Sequence, residues 1–148
     1  MRTKLTNILQ VIIIITGIIY LLLGAFFFYS PVKFFQIFSI EVPDDWFKSI
    51  EYDTFVAPLY ILARSFSAML FTAGMAMILP LYDPLKYRGL VYFTGIVFPL
   101  FSSVILLYNG YTFDHWILTC FGIGFVAIFL VTLWGLIITL KEAKAGIE

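Results

Sequence analysis

Residues 8–29 read ILQVIIIITGIIYLLLGAFFFY, 22 positions without a formal charge. A helix rises about 1.5 Å per residue, so roughly 20 apolar residues cross the ~30 Å hydrocarbon core of a bilayer. Working outward from this run, three more segments qualify: residues 56–79, 89–108 and 116–140. The second contains one charge, Arg64. Together the four take up most of the chain, so residues 1–148 are expected to form one membrane domain. Short loops make consecutive helices antiparallel neighbours. The fold expected is therefore all-α: an integral membrane four-helix bundle, up-down-up-down, with an amphipathic helical outer loop.

Composition points the same way. Of 148 residues, 62% are hydrophobic and 12% charged, with a mean hydropathy of +1.02. Soluble domains carry about 25% charged residues, and disordered chains are poorer still in apolar ones. The 20% aromatic content exceeds what a small water-soluble core can bury. The formal net charge of +0 leaves no basic footprint for nucleic acid. One cysteine excludes an internal disulfide or a CxxC centre.

Arg2 and Lys4 precede the first apolar run as in a signal peptide, but the run is long and ends in Phe26, Phe27 and Phe28. No small-residue cleavage pattern follows, so a retained signal-anchor is expected. Arg2, Lys4, Lys86, Arg88, Lys141 and Lys144 fall on one side of the membrane, and Lys33 and Lys48 on the other. The positive-inside rule then makes both termini cytoplasmic. The outer face is acidic, with Glu41, Asp44, Asp45, Glu51, Asp53 and Asp114. Trp116, Tyr108 and Tyr111 fall at the outer interface and Tyr82 and Tyr87 at the inner one, as an aromatic belt would.

The outer loop, residues 30–55, is rich in aromatics. Ser30-Pro31 reads as a helix N-cap followed by proline at the first helical position. Phe34, Phe35 and Phe38 make an apolar patch, and Trp46, Phe47 and Ile50 share one face of an amphipathic stretch. Such a segment either packs as a lid on the helix ends or presents Phe34, Phe35, Phe38, Trp46 and Phe47 to a partner.

Inside the spans the polar residues are few. Arg64, about eight residues or ~12 Å into the second span, is expected to face the bundle interior and to find a partner. Its role is either a packing salt bridge or contact with an anionic ligand. Pro99 cannot donate an N–H and its ring displaces the carbonyl of Gly95. A kink is expected there, with Thr94, Ser102 and Ser103 satisfying loosened carbonyls and a cavity beside it. Gly17 and Gly24, the series Ala68, Thr72 and Ala76, and Cys120 with Gly124 are expected to line the interior, where small residues let helices approach. His115 and Asp114 are adjacent, but no ligand cluster of recognised spacing accompanies them, so no metal or cofactor is expected. No GxSxG, HExxH or phosphate-binding loop is present, and the spans hold no Asp or Glu.

The stretch ARSFSAMLFTAG, Ala63 to Gly74, places an arginine early in the second span, and FFFYSP, Phe26 to Pro31, closes the first. These segments resemble the DoxX-like group of small four-helix bacterial membrane proteins. The resemblance implies a bacterial cytoplasmic (inner) membrane location; the group's members are mostly uncharacterised, some being accessory subunits of membrane oxidoreductases.

Two functions follow as expectations. The first is a non-catalytic accessory subunit or scaffold of a larger membrane complex, with a membrane-protein partner or a homo-oligomer. The second is a binder or carrier of a hydrophobic small molecule, a lipid or quinone, in a pocket lined by Arg64, Tyr20, Thr72, Ser102 and Ser103.

Overall fold

The computed structural model describes residues 4–30 and 57–145. Four helical spans account for almost all of them. The first helix, Lys4–Tyr29, runs unbroken. The second span comprises Ala57–Ala76 and, after a turn at Met77, Ile78–Tyr82. Pro80 explains that break, because its ring would meet the carbonyl of Ala76 and it has no N–H to give. The third span is Arg88–Tyr92, a π-helical turn Phe93–Val97, and Phe98–Thr112. The fourth, Trp116–Ala145, is continuous over 30 residues. The apolar windows are Ile8–Tyr29, Ile61–Tyr82, Arg88–Thr112 and Trp116–Ala145. The helix of the second is described from Ala57 and the span ends later than expected, and the third and fourth reach beyond residues 108 and 140. The expected all-α membrane bundle is what the chain forms.

Two tight turns connect the later spans. Asp83 accepts the Lys86 backbone N–H at 3.0 Å and so ties the turn between the second and third spans. Between the third and fourth, Asp114 adopts φ 50° and His115 donates its N–H to the Gly110 carbonyl at 2.8 Å.

The spans alternate in direction. Gly24 meets Ser67 and Phe71 while Gly17 meets Met77, Gly110 meets Thr119 while Gly95 meets Thr132, and Gly135 meets Leu9 and Ile12 while Tyr20 packs on Phe125. The first span thus lies between the second and the fourth, and the fourth holds the third. The second and third spans meet through Ile78–Tyr82 and Arg88–Tyr92, at the end of the bundle where Lys4 and Ala145 also lie. Among the described residues, that side of the bundle is open elsewhere along their length.

Packing follows a repeat of 3.5 residues. From Ala63 to Met77 the buried positions of the second span are Ala63, Ser67, Leu70, Gly74 and Met77, spaced four, three, four and three apart. That spacing keeps one seam facing a neighbouring helix along the span. It also overturns part of the small-residue expectation. Ala68, Thr72 and Ala76 step by four, drift off the seam and do not lie in the interior; Ala68 and Thr72 are exposed. Cys120 and Gly124 are exposed too, whereas Gly122 and Gly135 are buried. Gly17 and Gly24 do face the second span. A Cβ on Gly24 would stand 2.5 Å from the Phe71 backbone nitrogen, so only a glycine permits this approach.

Two core clusters result. Leu9, Ile13, Met77, Val91, Ile96 and Leu136 fill the half near Lys4 and Ala145. Tyr20, Phe27, Leu70 and Phe125 fill the other.

Candidate functional site

The third span carries the irregularity from which the site is built. Phe98 donates its N–H to the carbonyl of Phe93, a five-residue spacing that widens the helix into one π turn. In the same spacing the Thr94 carbonyl would take the N–H of residue 99. That residue is Pro99, which has none. The orphaned acceptor is satisfied from another span: the Tyr20 hydroxyl donates to the Thr94 carbonyl at 3.1 Å. Tyr20 is 0% exposed, its ring set edge-on to Phe98 and tilted against Phe125. An unpaired carbonyl at this depth costs several kcal/mol in lipid, so the bond is a condition for the π turn.

This differs from the expectation that Thr94, Ser102 and Ser103 side chains would relieve the kink. The Thr94 hydroxyl donates to Leu90 O at 2.6 Å and lies 3.1 Å from the Met77 sulfur. Ser103 is buried and donates to Leu100 O at 2.8 Å, while Ser102 is half-buried. On the fourth span Thr132 leans into the space left by Gly95, and its buried hydroxyl has no hydrogen-bond partner among the described residues.

Beyond Pro99 the third span packs on the fourth and leaves the second. The result is a groove of about 510 Å³ on the open side. Ser65, Ala68, Thr72 and Ala76 form one wall, and Leu90, Phe93, Thr94 and Phe98 the other. Small residues that drift off the packing seam thus become the floor of a cavity. The Thr94 hydroxyl is already spent within its own helix, so the wall of the third span is apolar in effect. A second cleft of about 290 Å³ lies between the end of the first span and the second, lined by Ala25, Phe28, Tyr29, Phe71 and again Ala68 and Thr72. On the opposite side of the bundle, Ile19, Leu23, Cys120 and Gly124 line a further cavity of about 320 Å³.

Arg64 sits one helical turn before Ala68. It lies seven residues into the Ala57–Ala76 helix, about 10.5 Å along it, and it is exposed. Its depth is close to that expected, but it does not face the bundle interior. Its guanidinium carbon stands 5.4 Å from the centre of the Phe28 ring, a cation–π contact at the rim of the second cleft.

Of the five expected ligand residues, Arg64 and Thr72 thus share one face of the second span. Tyr20 stands behind the groove wall and reaches it through the Thr94 carbonyl. Ser102 and Ser103 are not among the described residues that line the groove. Phe34, Phe35, Phe38, Trp46 and Phe47 lie outside the described residues. Asp114 is exposed and His115 half-buried, and among the described residues no group of three or more His, Cys, Asp or Glu is placed to hold a metal. The groove's other wall, Leu90 to Phe98, was not marked as a site by spacing; a proline and a glycine four residues apart were its local signal.

Compared with protein-family models, with curated proteins and with solved structures, the chain matches none.

Proposed function

We propose that this chain is a non-catalytic membrane protein that holds an apolar molecule of the bilayer, a lipid or quinone tail, in the groove between its second and third spans. The observation that carries this reading is the groove itself: about 510 Å³, apolar-walled, and on the open side of the bundle. Small-molecule sites run about 300–1,000 Å³ and are lined mainly by apolar side chains with a few polar groups. Here Ser65 and Thr72 supply the polar groups.

The groove's length favours a tail over a partner's helix. From Ser65 to Ala76 is about 17 Å of helix, close to half of the ~30 Å hydrocarbon core. A spanning helix would need the full thickness, and contact between Ile78–Tyr82 and Arg88–Tyr92 closes the groove at one end. An accessory subunit, the other function expected and the one in keeping with a DoxX-like resemblance, would have to use another face. Lys86, Arg88, Lys141 and Lys144 at the closed end support a cytoplasmic location for both termini.

Native mass spectrometry after extraction in a mild detergent tests the proposal. The expected result is one retained lipid or quinone mass per chain, lost when Ala68→Phe fills the groove and kept when Gly124→Leu alters the opposite side. A bare wild-type chain, or equal retention in Ala68→Phe, overturns it. A stoichiometric protein partner in place of the small molecule would establish the subunit reading.

A further inference from the structure

Arg88 and Lys141 bound two runs without a formal charge, residues 89–113 and 116–140. They do so at one height. Gly95 of the third span meets Thr132 of the fourth, and the two spans are antiparallel; Arg88 stands seven residues before that contact and Lys141 nine beyond it. At about 1.5 Å per residue their levels differ by about 3 Å. Lys86, in the turn before Arg88, and Lys144, one turn on from Lys141, join them, and all four side chains are exposed. The nearby acids do not neutralise them. Asp83 accepts the Lys86 backbone N–H, and Oε2 of Glu142 is buried. None of the four cations is in a salt bridge among the described residues.

We propose that this end of the bundle binds the phosphate groups of anionic phospholipids in the leaflet that faces it, with Arg88 and Lys141 as the central contacts. Membrane topology asks only that cations stay on one side. It does not ask that they be level, exposed and without salt bridges. A guanidinium binds a phosphate through two parallel hydrogen bonds, and a lysine serves it as a point charge. The partner is a lipid because the charge-free runs begin one residue from Arg88 and end one residue before Lys141. Aromatic rings stand beside the cations as well: Tyr92, four residues after Arg88, and Trp134, seven before Lys141, are exposed on the same helical faces. A phosphate held by the cations thus leaves its acyl chains against these rings. The proposal does not depend on the groove, which lies between the second and third spans.

The test places the full-length protein in phosphatidylcholine vesicles to which phosphatidylglycerol is added, one of the two lipids carrying brominated chains that quench a neighbouring tryptophan. Trp46→Phe with Trp116→Phe leaves Trp134, on the Lys141 face, as the reporter; Trp46→Phe with Trp134→Phe leaves Trp116, exposed at the opposite end, as the control. One basic side chain near the membrane surface is worth about a fivefold preference for an anionic lipid. Phosphatidylglycerol should therefore outcompete phosphatidylcholine at Trp134 by about fivefold or more, and show no preference at Trp116. Lys141→Gln should lower the preference at Trp134 by about that factor, and Lys141→Arg should keep it. Should the glutamine variant fail to insert, salt provides the second arm. Raising it from about 0.15 to about 1 M cuts the screening length from about 8 to about 3 Å and should bring the two lipids close to parity. Parity at Trp134 in the lower salt overturns the proposal, as does an equal preference at both reporters. Parity together with binding of soluble polyglutamate would give the surface to an acidic polypeptide instead.

Discussion

Replacing Tyr20 by phenylalanine removes one oxygen atom and leaves the ring that packs on Phe98 and Phe125. The hydroxyl it removes is the donor to the Thr94 carbonyl, 74 residues away. A buried hydrogen bond contributes about 0.5–1.5 kcal/mol net, and interhelical ones in membranes average about 0.6 with a maximum near 1.7. The upper part of that range applies here, because Pro99 removes the backbone donor that π spacing would otherwise offer. Tyr20→Phe should therefore destabilise the bundle by about 1.5 kcal/mol, roughly a tenfold shift in the unfolding equilibrium. Titration with sodium dodecyl sulfate in mixed micelles, followed by circular dichroism, measures it. The decisive comparison is a double-mutant cycle with Pro99→Ala. Alanine restores an N–H at position 99 that can serve the freed carbonyls, so in that background the Tyr20→Phe effect should fall to about 0.5 kcal/mol or less. If the two substitutions are additive, the hydroxyl is not what satisfies the carbonyl that proline orphans.

Four further outcomes follow from the packing. Gly24→Ala places a Cβ 2.5 Å from the Phe71 nitrogen and 2.9 Å from the Ser67 carbonyl oxygen, so the first two spans must part; a loss of about 1–3 kcal/mol in the same titration is expected. Gly124→Ala meets nothing within 4 Å and should be neutral or gain up to about 1 kcal/mol, and equal effects at the two glycines would refute the close approach. Thr132→Val replaces a buried, unpartnered hydroxyl with a methyl group and should leave stability unchanged or raise it by up to about 1 kcal/mol; a comparable loss would mean that the hydroxyl is bonded. Cys120, exposed four residues into the fourth span, should react in intact membranes with a lipid-soluble maleimide and not with a sulfonated one. Equal labelling by both would take that face out of the bilayer.

The spans were legible because crossing lipid demands long apolar runs, and the first was readable to its end at Tyr29. The ends of the third and fourth were not. Hydropathy reports where lipid begins, whereas a helix continues while its hydrogen bonds do, through Thr112 and through Lys141 to Ala145. The interior face of the second span was misread for a similar reason. Steps of four through Ala68, Thr72 and Ala76 look like one face, but a seam that repeats every 3.5 residues leaves them behind. Pro99 and the cavity beside it were visible as a helix breaker, and Thr72 as one of the groove's residues. The partner that makes the break tolerable was not, since a bond between Tyr20 and Thr94 leaves no local spacing to read.

That bond also sets an order of assembly. Thr94 is made 74 residues after Tyr20, which at roughly 5–20 residues per second is a delay of about 4–15 s. The first two spans, which meet across Gly24 and Gly74, are synthesised before the third, so the hydroxyl they carry precedes its acceptor in the chain. When the third span enters, a backbone that cannot complete its own hydrogen bonds finds the missing donor on the earlier hairpin. The defect that proline introduces is therefore what tells the second hairpin where to dock.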